Sequence, residues 1–548
     1  MTDRKKPTPQ RQERFSFLAS EVGEAIKAGD ALRAAKCSRI ALQEGFTHPT
    51  FLNLAAYNEM SEGRPRDALT FLSRAKVLAP KDMNILNAIG TCHAALGDFS
   101  AALATYDAAI AGAPDLAPAY YNRGLAHNAL GDFARARSNF ERAVALRPAY
   151  PEALAQLAYS DAVRGAHDRA RDYARRALEH DARQVTAVMA FALADIAEGK
   201  FEQAEQSLVA RLHDPSLAGD NRAILLNLIG DARDGTGNTN GAFSAYAEAN
   251  ALQYTIYREV VAPTAFESPF SQLERLIGHF TSAPRVALEE SNLPPGSRKA
   301  PIFLIGFPRS GTTLLEQALA GHPAITTSEE REFLVDAITD FIVPSNGLAK
   351  LATLSSVQVA HYRDAYWRRA AGVALPEGQF LDKLPLNTTF LPVIAKIFPD
   401  AKILFARRDP RDVVFSCFRR RFAMTPQMYE LLTLDGAARY YDRVMRLAEL
   451  YRSKLGISWK EVIYENVVAD FEGEVRGVCA FLGLPWHSAI GDFAHRLSAR
   501  SVDTPSSYQL TKGLNREGIG SWRRYRQHME PVLGLLAPWV SRFGYSET

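Results

Sequence analysis

Cysteine is scarce in this chain. Cys37, Cys92, Cys417 and Cys479 are the four in 548 residues, and no two form a CxxC pair. That spacing argues against a disulfide framework and against a cysteine-bound zinc, and it fits a reducing compartment. Long apolar runs are missing as well: nothing approaches the roughly 18 residues that a membrane-spanning helix needs. The opening MTDRKKPTPQRQERF is polar and basic, with no apolar segment of the kind a secretory signal carries. Residues 1–19 are therefore expected to form a disordered tail. Charge of one sign is also lacking, since 64 Lys and Arg face 61 Asp and Glu for a net +3. Such a balance predicts no bulk attraction to nucleic acid or to a membrane surface, so any anion site must be local. The expectation is a soluble, cytoplasmic protein too long for one ordinary domain.

What the chain has is a period. Glycine recurs at Gly29, Gly63, Gly97, Gly131, Gly165 and Gly199, every interval being 34 residues. Alanine follows five residues after each, at Ala34, Ala68, Ala102, Ala136, Ala170 and Ala204. After a slip of four residues, Gly237, Ala242 and Ala249 begin a seventh unit. Glycine suits a tight turn between antiparallel helices, because positive φ costs it little. Alanine suits a helix crossing where only a methyl group fits. No such unit buries its apolar face alone, so the units must stack. The segments GDFSAALATYDAAIAGAP (97–114) and GDFARARSNFERAVALRP (131–148) resemble the tetratricopeptide repeat. The resemblance covers residues 20–252. It implies an all-α superhelix whose concave face takes a protein or peptide partner. Asn87, Tyr120, Tyr121 and Asn122 are candidates for that face, unless the two tyrosines pack between helices.

The period stops after Tyr254. Residues 253–299 hold Pro, Ser and Gly around one expected helix near 269–281 and read as a linker. A new pattern of strand, glycine-rich turn and helix then starts at residue 300, the mark of an α/β domain. Ile302–Ile305 is apolar enough for a buried parallel strand. Gly306-Phe-Pro-Arg309-Ser310-Gly311-Thr312-Thr313 follows, then an amphipathic helix through Leu314, Leu315, Ala318 and Leu319. The spacing is that of a P-loop, in which backbone N–H groups and a helix N-terminus cradle a phosphate. Thr312 stands where a nucleotide triphosphatase has lysine. A site without that lysine need not handle a triphosphate, which speaks against a P-loop kinase. Arg309 can meet a terminal anionic group instead.

PRSGTT resembles the 5′-phosphosulfate loop of the sulfotransferase superfamily, over roughly 300–548. Together with His322-Pro323 and Glu329-Glu330 it is most similar to protein-tyrosine sulfotransferases and to bacterial sulfotransferases with a tetratricopeptide array. A second strand, Lys402–Phe405, leads into Arg407-Arg408-Asp-Pro-Arg411-Asp-Val-Val-Phe-Ser416. Arg408 and Ser416 fill the family's 3′-phosphate motif, with Arg420 one turn further. Arg419 and Arg421 read as a solvated basic face. Asp382-Lys383-Leu-Pro385 resembles the family's lysine segment, and Tyr464-Glu465-Asn466-Val467-Val468 the motif whose tyrosine lies near adenosine. Ser506–Trp522 resembles the C-terminal loop over the donor, with Ser506 as catalytic serine, Lys512 as donor contact and Trp522 as anchor.

The resemblance implies a P-loop-like α/β domain with a central parallel sheet. It implies a transferase that moves a sulfuryl group from 3′-phosphoadenosine 5′-phosphosulfate to a hydroxyl, without a metal. Arg309, Ser310, Gly311, Thr312 and Thr313 would then hold the 5′-phosphosulfate. Arg309, Lys383 and Ser506 would stabilise the transferring group. Arg408, Ser416 and Arg420 would hold the 3′-phosphate, beside Tyr464 and Lys512. Glu330 matches the general base, Glu329 a supporting carboxylate, and His322 is the alternative base. A base is useful because a tyrosine phenol has a pKa of about 10. The acceptor expected first is a protein tyrosine. A carbohydrate, a lipid or a small hydroxylated molecule is the alternative, with the repeats as an interaction module. Glu332 and Asp336 stand where animal tyrosylprotein enzymes carry basic residues, so an acidic acceptor peptide would be repelled there. An inactive binding scaffold fits less well, since every catalytic position is filled. A homodimer is left open.

Overall fold

The computed structural model describes residues 9–261, 267–285, 298–328, 330–373, 378–494, 496, 514 and 516–546. The chain divides into two compact units, Met1–Phe191 and Ala192–Thr548. Among the described residues no helix is long and apolar enough to cross a membrane.

The first unit is a stack of antiparallel helix pairs, and the period explains it. The turn glycines Gly29, Gly63, Gly97, Gly131 and Gly165 all have φ between 72° and 79°. Ala34, Ala68, Ala102, Ala136 and Ala170 are at most 1% exposed, as crossing points require. Asp30, Asp98 and Asp132, each following a turn glycine, cap the second helix of their pairs through side-chain oxygens. Tyr121 packs against Phe140 and Tyr150 in the interior. Asn122 Nδ2 donates to Asn87 Oδ1 at 3.0 Å, so a polar rung joins neighbouring repeats. One expectation is corrected here. The tail expected over 1–19 is helical from Pro9, because Pro9–Lys27 turns Leu18, Val22 and Ala25 into the stack.

The second unit begins inside the repeats. The helices Phe201–Leu212, Gly219–Gly235 and Thr239–Val261 complete the periodic pattern, the last running past the boundary expected at 252. The helix Pro269–Ser282 matches the one expected in the linker. Five parallel strands follow: β1 (Ile302–Gly306), β2 (Ile325–Ser328), β3 (Gln379–Lys383), β4 (Lys402–Arg407) and β5 (Ser458–Ile463). Their order is β2-β3-β1-β4-β5. The two-domain fold read from the sequence, an all-α repeat stack and then an α/β domain with a parallel sheet, is what the structure has.

β1 is buried on both faces, as a continuous apolar run predicts. Phe303 and Ile305 join a core with Phe398, Tyr441, Tyr451, Trp522 and Tyr525. Ile302 and Leu304 face the opposite layer with Leu315, Leu319, Val462 and Leu482. Ala242 and Tyr246, from the last repeat, belong to the first of these cores. The terminal repeat thus shares an interior with the sheet. That packing places the boundary between compact units before it rather than after it.

Order places the site. After β1 the chain goes to one side of the sheet, to β2 and β3. It then returns to β4 on the other side of β1. The carboxyl ends of β1 and β4 therefore flank a crevice, the position where open α/β sheets bind ligands.

Candidate active site

The loop after β1 opens that crevice. Thr388 Oγ1 fixes its start, accepting from Gly306 N at 3.0 Å and donating to Gly306 O at 2.7 Å. Gly311 has φ 96° and caps the helix Thr312–Leu319. A Cβ there would lie 2.6 Å from Tyr464 Cδ2, so glycine is required twice, by conformation and by space. Arg309 is the one non-glycine residue with positive φ among the described residues, at 71°. Such a conformation is sustained only where surrounding contacts hold it. Of the amides expected to cradle an anion, that of Ser310 already donates to Phe307 O at 3.2 Å. Those of Gly311, Thr312 and Thr313 stand at the helix start, where no intrahelical acceptor exists.

We expect Gly311→Ala to cost about 1–2 kcal/mol in the strained backbone alone. It should also push Tyr464 away and weaken anion binding. Urea unfolding and ligand titration check both effects, and a variant unchanged in both would contradict the packing described.

Guanidinium groups gather around the loop. Arg309 Nε donates to Ser416 Oγ at 3.0 Å. Arg408 Nη1 donates to Arg309 O at 3.1 Å, and Nη2 donates to Gly518 O. The Arg408 guanidinium lies over the Tyr464 ring, 4.7 Å from its centroid. Burial pushes the Arg309 pKa down to about 9, and the charges of Arg420, Arg408 and Arg419 add to the effect. Each of Arg408, Arg419 and Arg420 has a buried Nε–H without a hydrogen-bond acceptor. Crowded like charges with unused donors suit a ligand that is multiply anionic and rich in oxygen.

A second cluster lies at the ends of β2 and β3. Lys383 is fully buried and donates to Glu330 Oε1 at 2.9 Å. Its ammonium also lies 3.3 Å from Glu316 Oε2, and Glu316 is itself fully buried. Burial opposes the Lys383 charge, but the two carboxylates outweigh it and raise its pKa. The Glu330 side chain is 45% exposed, which leaves its second oxygen reachable. Neighbouring Asp382 is turned inward. It accepts from Tyr366 Oη at 2.8 Å, and burial raises its pKa to about 7.

One cavity of about 460 Å³ joins the two clusters. Its wall includes Arg309, Gly311, Thr312, Thr313, Arg408, Ser416, Tyr464 and Glu330. Most residues singled out from the sequence are thus brought together.

Three expectations about placement are corrected. Arg420 is not in the wall; it pairs with Asp231 at 2.8 Å. Arg419, read as solvated, lines the cavity and pairs with Asp234 at 3.0 Å. The reason is the terminal repeat, whose helix offers these carboxylates. His322, the alternative base, is 4% exposed and lies outside the wall. Its Nε2 lies 3.0 Å from Pro485 O while Nδ1 accepts from Ala324 N at 3.1 Å, a structural role. The Arg309–Ser416 bond, further, joins residues assigned to opposite ends of the donor. Glu329, Ser506 and Lys512 lie outside the described residues.

The sequence pattern of the Sulfotransferase family matches residues 301–488, and that of the Tetratricopeptide repeat matches 117–150. Residues 301–488 are thus similar to the sulfotransferase family. An uncharacterized protein of Aquifex aeolicus (strain VF5) is 27% identical over 43% of this chain and 32% of its own length, so the similarity spans about a third of it. Protein-tyrosine sulfotransferase 1 of Danio rerio is 25% identical over 44% of this chain and 72% of its own. The Drosophila melanogaster protein-tyrosine sulfotransferase is 23% identical over 44% of this chain and about half, 51%, of its own. Among solved structures, the sulfotransferase domain of the Synechococcus PCC 7002 olefin synthase has 23% identity and TM-score 0.31, covering 43% of this chain and 91% of its own. A tetratricopeptide repeat protein from Parabacteroides merdae ATCC 43184 has 18% identity and TM-score 0.33, covering 44% of this chain and 93% of its own.

Two carboxylates of the α/β domain escape a reading by motif. Glu316 sits on the helix after the loop, on the same stripe as Thr312 and Leu319, and there it meets Lys383. Asp412 sits one turn before Ser416 and accepts from Gly520 N at 2.7 Å, Ser521 Oγ at 3.0 Å and Trp522 N at 2.9 Å. Burial raises its pKa, against the pull of Arg408. Asp412 thereby anchors the segment that presents Gly518 O to Arg408. In both cases the available signal was an acid on the inward stripe of a short helix, beside buried apolar neighbours.

Proposed function

We propose that this protein transfers a sulfuryl group from 3′-phosphoadenosine 5′-phosphosulfate to a hydroxyl acceptor, with Glu330 as general base. The observation that carries the reading is the joining, in one cavity, of a crowded guanidinium pocket and a carboxylate held by a buried lysine. The donor carries negative charge at both ends of its ribose, and Arg408 and Arg419, which line the cavity and have unused Nε–H groups, fit it. The Gly311–Thr313 amides and Arg309 would hold the 5′ end. Arg408 and Ser416 would hold the 3′-phosphate, with Tyr464 against the base. The donor supplies an activated sulfuryl group on a phosphate leaving group.

The chain's own residues do the rest. Glu330 takes the proton from the acceptor hydroxyl. Lys383, neutralised on its far side by Glu316, fixes the carboxylate that faces the cavity. Arg309 faces the negative charge that builds on the transferring and leaving oxygens, where a fixed cation in a water-poor site acts strongly. Adenosine 3′,5′-bisphosphate should bind at least about tenfold more tightly than ADP, the equivalent of one charge-assisted contact. Calorimetric titration measures both, and equal affinities would reject the 3′-phosphate pocket.

A protein tyrosine is the acceptor that the similarity to protein-tyrosine sulfotransferases supports. The array would then present the partner protein. A second acceptor is favoured by the cavity wall away from the arginines. There Leu334, Ile338, Leu386, Phe390, Phe422 and Met428 are joined by Glu332. An apolar wall with an acid at its edge suits a small uncharged hydroxylated molecule better than an acidic peptide. Labelled donor with cell lysate, followed by mass spectrometry, separates the two.

A further inference from the structure

The terminal repeat touches the C-terminal end of the helix that follows β4. That helix, Pro410–Phe418, carries Asp412 and Ser416, and its last carbonyls need donor partners from outside. Asn250 Nδ2 donates to Phe418 O at 2.8 Å and Asn227 Nδ2 to Arg419 O at 3.1 Å. Both asparagines stand on repeat helices, Thr239–Val261 and Gly219–Gly235. Phe243 stacks on Phe418 with centroids 5.1 Å apart.

The charges then follow one face of the helix Gly219–Gly235. Asp231 takes Arg420 at 2.8 Å and accepts Tyr246 Oη at 2.8 Å. Asp234 takes Arg419 at 3.0 Å, Arg524 at 2.8 Å and Tyr525 Oη at 2.7 Å. Asp220 reaches Arg421 only at 3.6 Å, with both side chains more than a third exposed. Asp234 therefore grips the cavity-lining Arg419 and also the turn Ser521–Tyr525. The same turn is held by Asp412 and follows Gly518, the acceptor of Arg408. Four guanidiniums with no carboxylates among them would repel one another; the two aspartates set where they rest.

From this geometry we infer that Asp231 and Asp234 are positioning residues of the donor site, so that the last repeat is a working part of the sulfotransferase unit rather than an appended binding module. The inference rests on the proposed donor. Its physical content is a distinction between charge and place. Removing a carboxylate makes the pocket more positive, which by itself strengthens the binding of both ligands, and of the more highly charged bisphosphate at least as much as of ADP. Losing the positions of Arg419, Arg420 and the 518–525 turn instead weakens discrimination between anions.

The test is the full chain carrying Asp231→Asn and Asp234→Asn together, titrated with adenosine 3′,5′-bisphosphate and with ADP. We expect the affinity ratio of the two ligands to fall about tenfold, with a rise in the donor KM exceeding any fall in kcat. Asp220→Asn should leave the ratio as in the unsubstituted protein. If the double variant does not fold, Asp231→Glu with Asp234→Glu keeps the charge, moves it by one methylene and should still lower the ratio. A folded variant of either kind with an unchanged ratio overturns the inference. An unsubstituted protein that does not distinguish the two ligands overturns the donor reading, and the inference with it.

Discussion

Glu330→Gln is expected to lower kcat by about 100- to 10,000-fold, the range that positioned general bases contribute. The substitution keeps the shape of the side chain and an acceptor for Lys383. It removes the only function a base needs, a carboxylate oxygen that can take a proton. Lys383 should stay charged, because Glu316 remains 3.3 Å from its ammonium. Stability should change little, since Glu330 is 45% exposed. A saturating-donor assay with thermal unfolding on the same sample checks both halves. Near-normal kcat in a folded Gln variant would remove Glu330 from the mechanism.

Arg309→Ala should reduce kcat by about 100- to 1,000-fold, the usual cost of losing one preorganised partner of developing negative charge. Its effect on folding should run the other way. Arg309 is half-buried among Arg408, Arg419 and Arg420, and its pKa is held down to about 9 by desolvation and by those charges. Removing it relieves repulsion, and alanine tolerates the backbone no worse than arginine. The melting temperature is therefore expected to hold or rise while activity collapses. A marked fall in melting temperature alongside the activity would mean that Arg309 supports the loop rather than the reaction.

Much of this was legible in the sequence because local chemistry repeats there. The glycine period fixed the turns, since positive φ is a property of a single residue. β1, its loop and the helix after it were legible as apolar run, glycines and amphipathic stripe. Arg408 and Ser416 were legible because eight residues span the strand end and the helix that follows. Arg419, Arg420 and Arg421 were not. The residues look alike in the chain, and only the fold makes Arg419 line the cavity while paired with Asp234, ties Arg420 away on Asp231 and leaves Arg421 near Asp220. Lys383 was legible as a cation near the site, but not as the holder of Glu330, because Glu316 comes from a different element.

The sequence by itself determined a helical repeat followed by an α/β domain, and an anion loop without the lysine of triphosphate sites. Those features depend on spacing and on single-residue conformational preference. Tertiary structure decided where the repeat ends as a structural unit, and which of the arginines and carboxylates face the cavity. Those depend on contacts between residues far apart in the chain, such as Asp234 with Arg419 and Glu316 with Lys383, where burial makes the pairing of charges compulsory.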